Sequence, residues 1–227
     1  MPTPPPAIPP SALAARLVRA NAARITTASA YAMQKIELKL SDDPALARRV
    51  IRLLPAPLAR DVTDDVLAHR ELARLTPARP LSAFRPGPAA AAAKLRAFYA
   101  EAERRSGVAW QLLAAVNFVE SDFGRLRETS VAGAQGPMQF MPSTWTGYGR
   151  GDIHDPQAAI LAAGRFLRAA GAPTAERRAL YRYNPSAAYV DAVERYAGRI
   201  RRTPRAFRQY YARPIVVRTP EGYRRLP

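Results

Sequence analysis

One carboxylate stands apart from the other acidic residues of this chain. Glu120 follows the apolar run LLAAVNFV (112–119), and Leu113, Val116 and Asn117 precede it by seven, four and three residues. At 3.6 residues per turn all four share one helix face, so Glu120 points inward. A carboxyl held on an apolar face is desolvated and its pKa rises. Raised to roughly 6, it stays protonated near neutral pH and can serve as a general acid, the pattern of glycosidase acids. The plain alternative is a Glu paired with one of the many arginines. Ser121 follows directly. Further on, Gly133, Gly136 and Pro137 let a backbone turn approach closely. Met138, Gln139, Phe140 and Met141 set an amide among apolar side chains, the mixture a sugar-binding wall needs. Their alternative role is core packing. Tyr183 and Asn184 stand at an expected helix break, where a phenol and an amide can point into a cleft. A core Tyr beside a capping Asn would look the same.

Composition frames these candidates without selecting among them. The chain has 227 residues, is 48% hydrophobic and carries a formal net charge of +17. The basic residues are almost all arginine; only Lys35, Lys39 and Lys94 are lysine. Such a charge steers anionic partners, and nucleic acid and anionic cell-wall polymers both fit. Abundant Ala and Pro beside the Arg also fit a purely compositional bias. The absence of cysteine excludes disulfides and thiolate metal sites. His69 and His154 are far apart and lack metal-ligand spacing, so neither a catalytic zinc nor any other cofactor is expected. No apolar run reaches 18 residues, and no transmembrane helix is expected. The opening MPTPPPAIPP lacks the basic start and apolar region of a secretory signal.

The elements that must position the candidates are helices. Residues 1–10 hold six prolines and read as an extended lead-in. Ser11 reads as the N-cap of one long helix reaching about residue 31. Asp43-Pro44 starts a second helix that ends before Pro55, and a third spans 58–75. Residues 11–75 read as a helical extension, and the proline-rich 76–88 as a linker. A helix over 89–105 and one over 108–121 follow, the latter stopped by Gly124. Pro142, Asp155-Pro156, Pro173 and Ser186 open further helices, and 205–211 forms a last one. Ile215, Val216 and Val217 are β-prone but have no evident pairing partner. The fold class is all-α.

Three motifs in this order carry a resemblance. Glu120-Ser121 ends a helix, Gly136-Pro137-Met138-Gln139 forms a turn, and Tyr183-Asn184 follows towards the C-terminal side. The chain thereby resembles the bacterial lytic murein transglycosylases. Asp155-Pro156 with Ala159-Ile160, and Tyr189-Val190, add to the likeness. It covers roughly residues 90–200; one departure is Arg182, where the family has Ala. The resemblance implies a goose-lysozyme-like catalytic domain over 89–203, with a tail over 204–227. It also implies cleavage of the β-1,4 bond between N-acetylmuramic acid and N-acetylglucosamine with Glu120 as the single acid/base. The muramic C6 hydroxyl would close onto C1 to give a 1,6-anhydro end.

By the same resemblance Ser121 orients Glu120 or contacts the sugar, Gly136, Met138, Gln139 and Phe140 line the groove, and Tyr183 and Asn184 lie near the acid. The nearest other acids, Asp122, Glu128, Asp152 and Asp155, show no comparable presentation on an apolar face, and Asp155 reads as an N-cap. The expected partner is the glycan strand of peptidoglycan, with anionic wall polymers as a second and nucleic acid excluded for want of any motif. A monomer acting outside the cytoplasm, at the envelope or secreted, is expected. Three rival readings stand beside it: a lysozyme-type hydrolase on the same fold, a wall-binding or scaffolding protein without activity, and a basic helical nucleic-acid binder, which composition alone favours but no motif supports.

Overall fold

The computed structural model describes residues 8–203 and 205–227; the expected extended lead-in falls largely on residues 1–7, outside the described residues. The chain is all-α, with one short hairpin at its end.

Four helices come first: α1 (Pro10–Ala22), α2 (Thr27–Asp42), α3 (Pro44–Ile51) and α4 (Ala56–Leu75). The single long helix expected from residue 11 is therefore two. Thr26 breaks it: its hydroxyl accepts the Ser29 amide at 3.2 Å while Ser29 Oγ accepts the Thr26 amide at 3.0 Å. This reciprocal cap starts a new helix. Ser11 is not a cap either, because Pro10 already occupies the first helical turn, where its missing N–H costs nothing. Asp43 does cap α3, accepting the Leu46 amide at 2.9 Å. Leu13, Leu17, Met33, Leu40, Val50, Val62 and their neighbours close a core of their own among these helices.

A second, larger core is built by α5 (Ala92–Ser106), α6 (Trp110–Ser121), α7 (Pro142–Tyr148), α8 (Pro156–Ala169), α9 (Glu176–Tyr183), α10 (Ala187–Arg202) and α11 (Arg205–Ala212). Helix α6 runs through its middle, with residues 112–116 fully buried. A helix apolar all round can only be a central one. Asp155 caps α8 through the Ala158 amide at 2.7 Å, and Ser186 caps α10 through the Tyr189 amide at 3.3 Å. The β-prone stretch finds its partner in the residues that follow it: β1 (Val216–Thr219) pairs antiparallel with β2 (Gly222–Arg225), Val217 opposite Arg224. The alternation of GYRR is almost wholly polar, so this strand carries no apolar signal.

Buried charges join the two cores. Asp65 of α4 accepts hydrogen bonds from the Tyr210 hydroxyl at 2.5 Å, from Arg213 at 2.9 Å and from Arg199 of α10. Glu37 of α2 accepts from Arg213 at 2.6 Å. All are under a tenth exposed. The segment 76–88 also bridges the two parts: the Gly87 amide donates to the Arg125 carbonyl at 2.8 Å and the Arg127 amide to the Arg85 carbonyl at 3.1 Å. It lies as a strap along the loop that leaves α6.

Candidate active site

Glu120 sits in the last turn of α6, partly buried, and its carboxylate accepts one hydrogen bond, from the Tyr189 hydroxyl at 2.6 Å. Burial pushes its pKa up from 4.5 to about 7; the Tyr189 hydrogen bond, which favours the anion, pulls it back only in part. Arginine pairing, the plain alternative for this residue, does not occur: Glu120 is in no ion pair among the described residues. A carboxyl with this value is about half protonated at neutral pH and can give or take a proton there.

The turn that ends α6 is unusual. Asp122, Phe123 and Gly124 all adopt positive φ, at 51°, 65° and 82°. The helix stops at Ser121 with Asp122 in the left-handed cap position, two residues before the glycine expected to end it. Two consecutive non-glycine residues in this region hold strain that the surroundings must over-determine. Those surroundings are visible. Ser121 Oγ donates to the Pro137 carbonyl at 2.5 Å and accepts the Gly124 amide at 2.8 Å. Asn117 donates to the same Pro137 carbonyl at 2.8 Å, and its own oxygen accepts the Tyr99 hydroxyl at 2.5 Å. A wholly buried polar set thus clamps the 136–139 turn onto the end of α6.

The turn itself is a tight loop. Gln135 and Phe140 exchange backbone hydrogen bonds of 2.9 Å each, and the Gln139 amide donates to the Gly136 carbonyl at 3.0 Å. Gly136 has φ 73°, and a Cβ on it would lie 2.1 Å from the Ile153 carbonyl oxygen, so no other residue fits without rebuilding the loop. Tyr183 at the end of α9 donates its hydroxyl to the Met138 carbonyl at 2.6 Å. Phe140 packs edge-on to Tyr183 and to Trp145, with ring centroids 5.6 Å apart in both cases.

The expected site residues therefore divide. Glu120, the 136–139 turn and Tyr183 come together; Glu120's negative charge contributes, after burial, to raising the Tyr183 phenol. Gln139 and Asn184 are partly exposed beside them in the chain, Gln139 at the turn and Asn184 ending α9. Ser121, Met138 and Phe140 are instead 1%, 0% and 3% exposed. Their side chains do not line a groove: Ser121 secures the turn, Met138 offers only its carbonyl, and Phe140 supports Tyr183. Tyr189, which holds the carboxylate, lies 69 residues from Glu120; Ser186 announces the start of its helix but nothing local announces the contact. Asn117 and Tyr99 form the clamp unannounced for the same reason.

The other acids have separate tasks. Asp122 pairs with Arg125 at 2.6 Å and lines a cavity with Phe118, Val119, Glu37 and His69. Glu128 accepts the Arg85 amide at 3.2 Å, Asp152 the His154 amide at 2.8 Å, and Asp155 caps α8.

Residues 98–203 match the family model of the transglycosylase SLT domain. This part of the chain is a transglycosylase SLT domain. Its bounds run from α5 to the residue after α10, and so take in Glu120, the 136–139 turn, Tyr183 and Tyr189. No curated protein matches the chain. An SLT domain acts on peptidoglycan, outside the cytoplasm. Among the described residues no helix is long and apolar enough to cross a membrane.

Proposed function

We propose that the protein cleaves the β-1,4 bond between N-acetylmuramic acid and N-acetylglucosamine without water, leaving 1,6-anhydro ends. Glu120 is its single acid/base. Its protonated carboxyl donates to the glycosidic oxygen as the C1–O bond breaks, and the substrate's own N-acetyl oxygen supports the cationic C1. The resulting carboxylate then accepts the proton of the C6 hydroxyl as that oxygen bonds to C1. The proton lost in the first half is recovered in the second, so one carboxyl whose pKa lies close to the working pH serves both.

The observation that carries this reading is the isolation of Glu120. Burial and one phenol set its pKa, and among the described residues no other carboxylate contributes to the shift. A two-carboxylate glycosidase needs its second acid close by on the substrate's other face, and Asp122, Glu128, Asp152 and Asp155 are engaged in ion pairs or backbone caps. Gln139, Tyr183 and Asn184 are the further polar groups we assign to the site, with glycan strands as their ligand. The site of action is the cell envelope or beyond it.

Mass analysis of digested sacculi tests the proposal. Wild type is expected to release muropeptides one water lighter than hydrolysis gives, and Glu120→Gln to release none. Reducing ends alone would make the protein a lysozyme-type hydrolase. Equal release by both proteins would remove Glu120 from its role.

A further inference from the structure

The 136–139 turn is tied to α6 twice where once would satisfy it. The Pro137 carbonyl accepts Ser121 Oγ at 2.5 Å and Asn117 Nδ2 at 2.8 Å, which fills both of its lone pairs. Ser121 alone would meet the need of a buried carbonyl. Asn117 is wholly buried, and so are Leu113, Ala114, Ala115 and Val116 before it. An amide in such a place must itself be bonded at both ends. Tyr99 of α5 supplies the second bond: its hydroxyl donates to Asn117 Oδ1 at 2.5 Å, and this fixes which end of the amide faces Pro137. Tyr99 is wholly buried in turn, with its ring edge-on to Phe207 of α11 at 6.0 Å. A Phe and Leu pair of nearly the same shape would remove this buried polarity with little change in stability. Packing therefore does not call for Tyr99 and Asn117.

The turn gives the second tie a purpose. Gln139 has φ 47°, a left-handed conformation that its surroundings must hold in place. Its backbone amide and its side-chain Nε2 both donate to the Gly136 carbonyl, each at 3.0 Å. Between Pro137 and Gln139 stands Met138, whose carbonyl seats the Tyr183 hydroxyl at 2.6 Å. A shift at the Pro137 carbonyl thus moves Gln139 and the seat of Tyr183 together. Asn117 lies on the same helix as Glu120, three residues earlier, or about 4.5 Å along the axis. One rigid element carries both the acid and the anchor of the turn. Glu120 takes its one hydrogen bond from Tyr189, so the anchor leaves the proton equilibrium of the acid alone.

We infer that Asn117, oriented by Tyr99, is a positioning residue: it sets the register of Gln139 and Tyr183 against Glu120 and thereby how tightly a glycan strand is seated. The inference rests on the site reading above.

The test uses the full chain and peptide-free glycan strands prepared from sacculi. Tyr99→Phe and Asn117→Leu are made together. Strand binding is titrated calorimetrically in a Glu120→Gln background, where the strand stays whole, and is expected to weaken about tenfold or more; kcat/KM in the active background falls at least as far. The Glu120 limb of the pH–rate profile is expected to stay within about 0.3 pH unit and the urea midpoint to stay close to that of the parent. A purely structural pair would instead lower the urea midpoint and leave binding by the folded fraction unchanged. Binding within about twofold of the parent overturns the inference, and so does a displaced Glu120 limb, which would put Asn117 on the acid and not on the turn. Should the pair variant fail to fold, Tyr99→Phe alone decides: it keeps the amide but frees its orientation, and is expected to weaken binding about threefold or more, with unchanged binding overturning the inference. Cleavage by wild type is read separately. Cleavage with unchanged binding in the variants rejects the role of Asn117 alone, and weakened binding without any cleavage by wild type rejects the proposed activity alone.

Discussion

Replacing Glu120 by Gln should make the protein more stable at alkaline pH while removing its activity. In the folded chain the carboxyl keeps its proton up to about 7, whereas in the unfolded chain it releases it near 4.5. Between these values the folded state binds the extra proton, so stability falls as pH rises through the window. Above pH 7 the whole cost of holding the anion in its buried place is present. At 1.36 kcal/mol per pKa unit that cost is about 3 kcal/mol, an upper figure because Glu120 is partly reached by solvent. Glutamine keeps the shape and the acceptor for Tyr189 but has no anion to desolvate. The advantage of Glu120→Gln over wild type should therefore be larger by up to about 3 kcal/mol at pH 8 than at pH 4.5. Glu37, also raised to about 7, titrates alike in both proteins and cancels. Urea unfolding of both proteins at the two pH values measures the difference. An advantage that is the same at both would refute the claim that burial of Glu120 is what raises its pKa.

Three further outcomes are expected. Tyr189→Phe removes the one hydrogen bond that favours the Glu120 anion, so the Glu120 limb of the pH–rate profile should move up by about one to two pH units; a limb that stays in place would dismiss the contact. Gly136→Ala drives a methyl into the Ile153 carbonyl at positive φ, and should cost about 2 kcal/mol or more of stability, with loss of muropeptide release. Asp65→Ala removes the nearest carboxylate from the buried Arg199 and Arg213, leaving Glu37 and Asp61 to balance them, and should destabilise by about 3 kcal/mol in thermal or urea unfolding.

What the sequence made legible was local. Asp43, Asp155 and Ser186 each cap a helix through an amide three residues away, and each could be read from spacing alone. The inward face of α6 followed from periodicity. The contacts that turn Glu120 from a buried carboxyl into a held one were not legible, because Tyr189 and the Pro137 carbonyl arrive from distant segments. Met138 and Phe140 were ambiguous for a different reason: an apolar side chain beside a turn fits a groove wall and a core equally well, and only packing decides. Thr26 was missed because its cap partner is Ser29 rather than the usual acidic residue or Gln. The left-handed Phe123 left no trace, since Phe does not ordinarily mark such a turn, and Asp122, of a type that tolerates the conformation, marks helix caps and other turns just as well.

The buried cage of Glu37, Asp65, Arg199 and Arg213 bears on how far the catalytic part can be lent to other proteins. A fragment begun at residue 89 would keep Arg199 and Arg213 and lose both carboxylates that neutralise them. It would also lose the acceptor of the Tyr210 hydroxyl, whose ring stacks on Phe118 at 4.9 Å, two residues from Glu120. The segment that matches a family is thus not a portable cassette. The helices of residues 10–75 are a fitted counterpart, and any chimera or expression fragment that discards them must supply buried negative charges in their place.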